Sequence, residues 1–235
     1  MEFTFIEDSA LRNRQGIFAD RRDAGRRLGR LIRDTLGEAA EPMVLAIPAG
    51  GVPVGLEVSR VLQTNLDLLV VRKLQIPGNT EAGFGAMTLD GVVFLNRELL
   101  SYLDLEQGQI EAEKARVMEE LTARNDRFRQ GRPFPDVEGR EVILVDDGLA
   151  SGFTMLAAAE TVRRHKAASL SAAVPTAPLR SVEQVKGALD RLYCLNVVDR
   201  PGPFAVAGAY QRWHDLDHDE VLALLKSQGL EGTGG

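Results

Sequence analysis

Cysteine and long apolar runs are what this sequence has least of. Its 235 residues include one cysteine, Cys194, which excludes a disulfide within the chain and fits a reducing compartment. Because free cysteine is usually buried, we expect Cys194 to fill the core within the apolar stretch 192–198. The first ten residues lack a basic segment followed by an apolar one, and no stretch approaches the ~20 apolar residues that span a bilayer. We therefore expect a cytoplasmic protein without a membrane partner.

Positive charge is also scarce. Lysine and arginine number 28 against 34 acidic residues, which gives a net charge of −6, so nucleic acid is not the expected partner. The arginines nevertheless cluster on a predicted surface helix that follows the predicted cap Asp20, at Arg21, Arg22, Arg26, Arg27, Arg30 and Arg33. We interpret them as a solvated face paired with nearby acids, and a phosphate-binding or RNA-binding patch is the alternative.

Two common phosphate-binding motifs are missing as well. There is no Gly-Lys-Ser/Thr, as a Walker A loop needs, and no G-x-G-x-x-G, as a dinucleotide-binding fold needs. These absences exclude the P-loop and dinucleotide-binding classes, so a phosphate site in this chain has to be of another kind.

The pattern of apolar segments predicts an α/β fold. Hydrophobic residues make up 44% of the chain, enough for one domain over 1–235 with a sizeable core. Five short strands are predicted, at 43–47, 66–71, 142–145, 170–174 and 192–198. Helices between them favour a doubly wound parallel five-stranded sheet that binds ligands at the carboxyl ends of its strands. The helix before the last strand is expected to open at Ser181, with Gln184 in a capping-box spacing. We assign the core to about 41–95 and 138–200, and a small hood from the chain ends and helical additions to 1–40, 96–137 and 200–228.

The most informative stretch is 141–156, which reads EVILVDDGLASGFTML. A buried strand ends in Asp146 and Asp147, and a loop with two glycines and two hydroxyls leads into an Ala-rich helix. Glycines let backbone N–H groups approach an anion, and a helix N-terminus adds unpaired donors. The two acids suit sugar hydroxyls or a Mg²⁺ shell. This combination predicts a site for a phosphorylated sugar.

This stretch resembles the signature of the type I phosphoribosyltransferases, in which four apolar residues and two acids precede a short loop with Thr or Ser, Gly, any residue and Thr. The resemblance implies binding of 5-phosphoribosyl-1-pyrophosphate (PRPP) together with Mg²⁺. It implies that Asp146 and Asp147 hold the ribose hydroxyls and the metal. It also implies that the 5′-phosphate is wrapped by the loop residues Gly148, Leu149, Ala150, Ser151, Gly152, Phe153 and Thr154.

A second glycine loop follows the strand at 43–47. In type I phosphoribosyltransferases the corresponding loop holds the pyrophosphate, and Ala49, Gly50 and Gly51 are similar to it. Two adjacent glycines can aim successive N–H groups at one anion. Many relatives, including a bacterial group of uncharacterised members, carry Arg or Lys where this chain has Ala49, which weakens the case for strong pyrophosphate stabilisation. A plain glycine turn is the alternative.

The predicted strand 66–71 ends in two cations, Arg72 and Lys73. By resemblance to the family, Lys73 is expected to meet the departing pyrophosphate, and Arg72 to contribute to PRPP binding or to structure. The segment 74–90 is predicted to be a mobile flap that leads to a hairpin arm at 92–95, and its closure would exclude water.

The remaining segments lie outside the predicted core. A long helical region at 96–130, interrupted near Asp104, is expected to pack one narrow face. In the hood, Phe204 and Val206 resemble the base-binding residues of purine-using relatives. The run 214–219 contains histidine and aspartate, but a helix cap by Asp217 with Glu220 is favoured over a metal site.

Two classes of function fit this sequence, and a third stays open. The first is an enzyme that transfers the phosphoribosyl group of PRPP to a nitrogenous base or similar acceptor and releases pyrophosphate. The second is a PRPP-binding or nucleotide-binding regulatory protein with little transferase activity, which Ala49 and the missing base-reading pattern favour. The third is an RNA-binding regulator, which the acidic composition disfavours. A homodimer is expected, as is usual among relatives.

Overall fold

The computed structural model describes residues 3–36 and 41–227. In chain order, the elements are β1 (Thr4–Glu7), α1 (Arg21–Leu36), β2 (Met43–Ala46), α2 (Gly51–Leu62), β3 (Leu66–Leu68), β4 (Val71–Ile76), β5 (Asn79–Thr88) and β6 (Val93–Leu95). These are followed by α3 (Arg97–Tyr102), α4 (Gln107–Arg129), β7 (Glu141–Val145), α5 (Phe153–Arg164), β8 (Ser169–Pro178), α6 (Leu179–Val185), β9 (Arg191–Val198) and α7 (His218–Lys226). None of the described helices is long and apolar enough to cross a membrane.

A parallel sheet of six strands forms the centre, in the order β1-β9-β8-β7-β2-β3. Side chains alternate between its faces, as the period of a strand requires. Ile143 and Val145 pack with α1 and α2, whereas Val142 and Leu144 pack with α5 and α6. The predicted doubly wound α/β fold is therefore confirmed.

The sheet has one strand more than the predicted five. The extra strand is β1, which lies in the segment 1–40 assigned above to the hood and additions. It pairs in parallel with β9 from Thr4 opposite Arg191 to Glu7 opposite Cys194. It is four residues long, and none of its residues is fully buried. A half-exposed edge strand lacks the continuous apolar run that marks the central strands, which explains why the pattern did not reveal it.

The predicted strand 66–71 divides between two sheets. Its first part, β3, pairs with β2, and the chain leaves the main sheet after the N–H of Leu69 donates to the carbonyl of Ala46. The second part begins β4, which joins β5 and β6 in an antiparallel sheet of three strands. Arg72 and Lys73 therefore lie on this small sheet rather than at the end of a parallel strand. Much of the predicted flap is itself regular strand, and its motion stays a prediction.

The long helical region is interrupted where the sequence predicts. α3 ends at Tyr102 and α4 starts at Gln107, so Asp104 lies in the break. The far end of α4 is fixed to β3 by a buried ion pair, in which the guanidinium of Arg129 donates to both carboxylate oxygens of Asp67 at 2.9 and 3.0 Å. Arg129 also donates to the carbonyls of Arg132 and Pro133, so its charge is fully engaged.

Two of the three predicted helix caps are confirmed. The carboxylate of Asp20 accepts from the N–H of Asp23 at 2.9 Å at the start of α1, and Asp217 and Glu220 form a reciprocal capping box on α7. The capping box predicted at Ser181 is wrong, because α6 already begins at Leu179. The hydroxyl of Ser181 instead donates to the carbonyl of Ala150 and ties α6 to the loop after β7.

Replacing Arg129 tests the buried ion pair. Arg129→Leu should lower the free energy of unfolding by about 3–5 kcal/mol, because Asp67 then keeps a buried charge without its partner. Arg127→Leu is the matched control, since Arg127 and Asp219 form an exposed pair and their loss should change stability by less than about 1 kcal/mol. Denaturant unfolding of both variants measures the difference, and equal losses would contradict the assignment.

Candidate active site

The candidate site is built at the carboxyl end of β7. The strand is buried from Val142 to its end at Val145, and Asp146 and Asp147 follow where the sheet opens to solvent. The loop then turns into α5 through Gly152, whose φ of +85° lies in the left-handed region that favours glycine. This local order puts two acids and a helix N-terminus side by side.

One cavity of about 420 Å³ brings most of the predicted site residues together at this edge. Those that line it are Ala49, Gly50, Arg72, Lys73, Asp146, Asp147, Gly148, Leu149, Ala150, Ser151, Gly152, Thr154 and Val206. The predicted residues Gly51, Phe153 and Phe204 do not line it. Gly51 begins α2, where an added Cβ would lie 2.6 Å from the carbonyl of Val145, and Phe153 begins α5 and packs against the core.

The two acids sit in a recess that disfavours their charge. Burial, together with the charge of Asp147, raises the pKa of Asp146 well above its usual range, and the ammonium of Lys73 opposes this effect. Burial also raises the pKa of Asp147, against the lowering effect of Arg21. The carboxylate of Asp146 accepts the N–H of Asp147 at 2.8 Å. Such a strained pair of acids in a cleft is typical of a functional site.

Arg21 is a site residue that the sequence did not reveal. Its Nε donates to the carboxylate of Asp147 at 2.8 Å, its Nη1 donates to the carbonyl of His214 at 2.8 Å, and its guanidinium stacks on the ring of Trp213 at 3.8 Å. Its side chain is only 9% exposed. The predicted solvated arginine face is therefore wrong for Arg21, whereas Arg22 and Arg30 are exposed. The sequence did contain one signal for this position. Arg21 directly follows the predicted helix cap and so is expected at the first position of α1.

The loop at 48–51 packs directly against the acids. The peptide bond between Pro48 and Ala49 is cis. A Cβ added to Gly50 would lie 1.9 Å from Oδ2 of Asp147, so only glycine leaves room for the carboxylate in its present position. The predicted phosphate loop and the predicted acids thus form one continuous surface.

The two predicted cations differ in their surroundings. Arg72 donates from Nε to Glu120 on α4 at 2.9 Å and so is tied to the structure, although part of it lines the cavity. Lys73 is exposed, lines the same cavity and has no ion-pair partner among the described residues. Lys73 is therefore the cation of this pair that is available to a ligand.

The outer wall of the cavity comes from the C-terminal part of the chain. Val206, Trp213, Asp215 and Leu216 line it, and Val206 packs so closely on Gly148 that a Cβ there would lie 2.5 Å from it. Sequence reasoning selected Phe204 as the aromatic of this wall, but Phe204 lines two neighbouring cavities instead. Trp213 was missed, although it is the single tryptophan of the sequence and lies in the predicted hood.

A buried tyrosine ties this wall to the acid loop. The hydroxyl of Tyr210 donates to the carbonyl of Asp147 at 2.5 Å. Burial and the charge of Asp147 raise the pKa of Tyr210 well above its usual value, so the group stays a neutral donor. Tyr210 therefore fixes the backbone from which the Asp147 side chain departs.

The donor set fits a magnesium ion that is shared with a substrate. Among the described residues no group of three or more His, Cys, Asp and Glu could hold a metal by itself. Mg²⁺ usually binds one or two carboxylates together with substrate phosphates and waters, and Asp146 with Asp147 matches that pattern. At the run 214–219, His214 instead bonds Glu220 at 2.9 Å and Asp217 caps α7.

Fold and site together define an α/β protein with a glycine-containing loop and an acid pair at the carboxyl edge of a parallel sheet. The family model described as "Phosphoribosyl transferase domain" matches residues 16–202. The chain belongs to this family.

Several known proteins are similar to this chain. Two proteins of Mycobacterium tuberculosis, "Putative phosphoribosyl transferase MT0597" of strain CDC 1551 and "Putative phosphoribosyl transferase Rv0571c" of strain H37Rv, are each 40% identical over 210 residues. That match covers 89% of this chain and 46% of each relative, so the chain spans about half the length of these curated relatives. The crystal structure of TT1426 from Thermus thermophilus is similar with a TM-score of 0.70 and 38% identity, covering 89% of this chain and 98% of that one.

Replacing Asp146, the first acid after β7, by a neutral residue should stabilise the protein. A carboxyl whose folded-state pKa is raised binds its proton more tightly when folded, so stability falls as pH rises from the unfolded pKa of about 3.9 to the raised value. Asp146→Asn should therefore raise the melting temperature at pH 7 and have little effect near pH 4. The control Asp219→Asn removes an exposed charge and should stay within about 0.5 kcal/mol. Thermal unfolding across pH tests this, and a lower melting temperature at pH 7 would refute it.

Replacing Arg21, the cation beside Asp147, should destabilise the protein. Arg21→Gln takes away the charge that lowers the pKa of Asp147, so ionised Asp147 is left buried without its partner. The loss of stability should reach about 3 kcal/mol at pH 8 and shrink as pH falls and the carboxyl takes up a proton. Arg22→Gln, at an exposed neighbouring position, is the control. Chemical denaturation at several pH values measures both variants, and a loss that does not depend on pH would exclude the ion pair as its cause.

Proposed function

We propose that the chain binds PRPP with Mg²⁺ and transfers its phosphoribosyl group to a nitrogenous base or similar acceptor, with release of pyrophosphate. The observation that carries this proposal is that one cavity unites the acid pair and Lys73 with residues 48–50, residues 148–152 and Thr154. Membership in the phosphoribosyl transferase family supports the class of reaction.

Each part of the cavity suits one part of PRPP. The 5′-phosphate would lie at the loop 148–154, where glycine backbone, the hydroxyls of Ser151 and Thr154, and the N-terminus of α5 offer donors. The ribose hydroxyls would donate to Asp146 and Asp147. The pyrophosphate would lie between the loop 48–51 and Lys73.

The reaction would proceed by displacement at C1′ of the ribose. A nitrogen of the acceptor forms a bond to C1′ while the bond from C1′ to pyrophosphate breaks, and the bonding electrons leave with the pyrophosphate. Lys73 and the amides of the loop 48–51 would stabilise the charge that grows there, while Asp146 and Asp147 hold the ribose. Bound Mg²⁺ would supply further neutralisation of the pyrophosphate.

The acceptor would meet the wall formed by Val206, Trp213 and Leu216. Trp213 offers an aromatic face, although Arg21 already occupies one side of its ring. Asp215 lines the same cavity, is exposed and has no ion-pair partner among the described residues, so it is a candidate to accept the proton of the acceptor. In some purine-specific relatives an acid in the phosphate loop stands where this chain has Ala150, which is why another group is needed here.

One observation favours a regulatory protein as the second candidate. Ala49 supplies no cation to the pyrophosphate loop, and Arg72 is engaged by Glu120, which leaves Lys73 to receive the departing charge. A site with fewer cations could bind PRPP and turn it over slowly. Tight binding of PRPP without pyrophosphate release, across a panel of nucleobases, would favour this interpretation over the enzyme.

Asp147→Asn tests the proposed site. Calorimetry with PRPP and Mg²⁺ should show saturable binding to the native chain and an affinity at least about ten-fold lower in the variant, because a charge-assisted contact to the ribose is lost. Pyrophosphate release with suitable bases should fall in parallel. The control Asp219→Asn should bind like the native chain. Unchanged affinity in Asp147→Asn would remove the acid pair from the proposed site, and no binding to the native chain would refute the proposal.

A further inference from the structure

A second cavity lies at the carboxyl ends of β8 and β9, and we name it the edge cavity. It has a volume of about 380 Å³ and shares no lining residue with the candidate active site. Its walls are the N-terminal loop with Arg14 and Gln15 and the segment 200–209, and Thr176 and Asn196 line it from the strands. Its size is within the range of small-molecule sites.

A buried acceptor without a partner lies in the lining of this cavity. The side chain amide of Asn196 donates to the carbonyl of Arg14 and to the hydroxyl of Thr176, each at 3.1 Å. Because the carbonyl of Arg14 can only accept, these bonds fix which side of the amide carries the nitrogen. Oδ1 of Asn196 then has no hydrogen-bond partner in the described part of the chain, although the residue is only 1% exposed. Such a group is costly unless a ligand or water donates to it.

The rim of the edge cavity is positively charged. Arg14 and Arg200 line it, both are exposed, and neither side chain has an ion pair or hydrogen bond within the described residues. The nearest acid in the sequence, Asp199, is already engaged by Arg12 at 2.5 Å and by Asn13 at 2.6 Å. Two free guanidinium groups at one cavity favour an anion, and phosphate matches their forked donors.

An aromatic side chain completes the lining. Phe204 is partly exposed and lines the edge cavity beside Ala205. A partly exposed ring next to a cavity can stack on a planar ligand. This residue was expected at the acceptor base, and its position here gives it a different role.

We infer that the edge cavity binds a nucleoside 5′-monophosphate. The base stacks on Phe204, while the phosphate meets Arg14 and Arg200. The inference does not depend on PRPP binding, because the two cavities have no lining residue in common. The same segment nevertheless forms a wall of both, since Ala205 faces the edge cavity and Val206 the active site.

Calorimetry of the full chain tests this site with adenosine, guanosine, cytidine and uridine 5′-monophosphate, and with inorganic phosphate. At least one nucleotide should show a saturable component that weakens at least about ten-fold in the double variant Arg14→Glu/Arg200→Glu. Phe204→Leu should weaken it about five-fold or more through lost stacking.

Two control variants locate the binding. The double variant Arg30→Glu/Arg97→Glu makes the same change of charge at exposed positions away from the edge cavity and should leave the component intact. Asp147→Asn should also leave it intact, because that residue lines only the active site. Circular dichroism confirms that each variant is folded.

Three results would overturn the inference. The first is the absence of saturable binding by all four nucleotides. The second is binding that Asp147→Asn abolishes and Arg14→Glu/Arg200→Glu does not, which would place the nucleotide in the active site. The third is inorganic phosphate binding as tightly as the nucleotides, which would leave no role for Phe204.

Discussion

The carboxyl edge of this sheet depends on holding two adjacent carboxylates in a recess where neither is well solvated. Asp146 and Asp147 repel each other, and burial raises the pKa of both. Two cations from distant parts of the chain oppose this rise in pKa: Arg21 from α1 and Lys73 from the antiparallel sheet. Two separate parts of the structure, α1 and the antiparallel sheet, therefore meet the acids at the end of β7.

The same requirement explains the close packing of the loops. Only glycine fits at position 50, because Asp147 occupies the space that a Cβ would need. Val206 likewise occupies the space that a Cβ at position 148 would need. Tyr210 holds the backbone of Asp147 from the other side. The candidate site is thus built from the close approach of backbone segments as much as from side-chain chemistry.

Local sequence was sufficient for the parts of the fold and site that are local. The strand at 142–145, the acids after it and the glycine loop are contiguous, so their apolar run, charges and turn residues could be interpreted together. The break at Asp104 and the caps at Asp20 and Asp217 are local for the same reason. Proximity of the two glycine loops followed from the rule that parallel strands present their carboxyl ends at one edge. Lys73 reaches the same cavity from the antiparallel sheet, which that rule does not cover.

The features that the sequence did not predict depend on contacts between residues that are distant along the chain. Arg21 and Asp147 are 126 residues apart, and the sequence around either residue does not indicate that the other is its partner. The strand β1 is defined by its partner β9 rather than by its own short pattern. The division of 66–71 between two sheets likewise follows from where the chain leaves β2, which no local propensity encodes.

The position of Trp213 has a practical consequence. It is the single tryptophan of the sequence, it lines the candidate active site, and the guanidinium of Arg21 lies against its ring. Its ultraviolet emission therefore comes from this one place and depends on the charge and water next to the indole. The protein carries a built-in optical reporter of its own cavity, without any attached label.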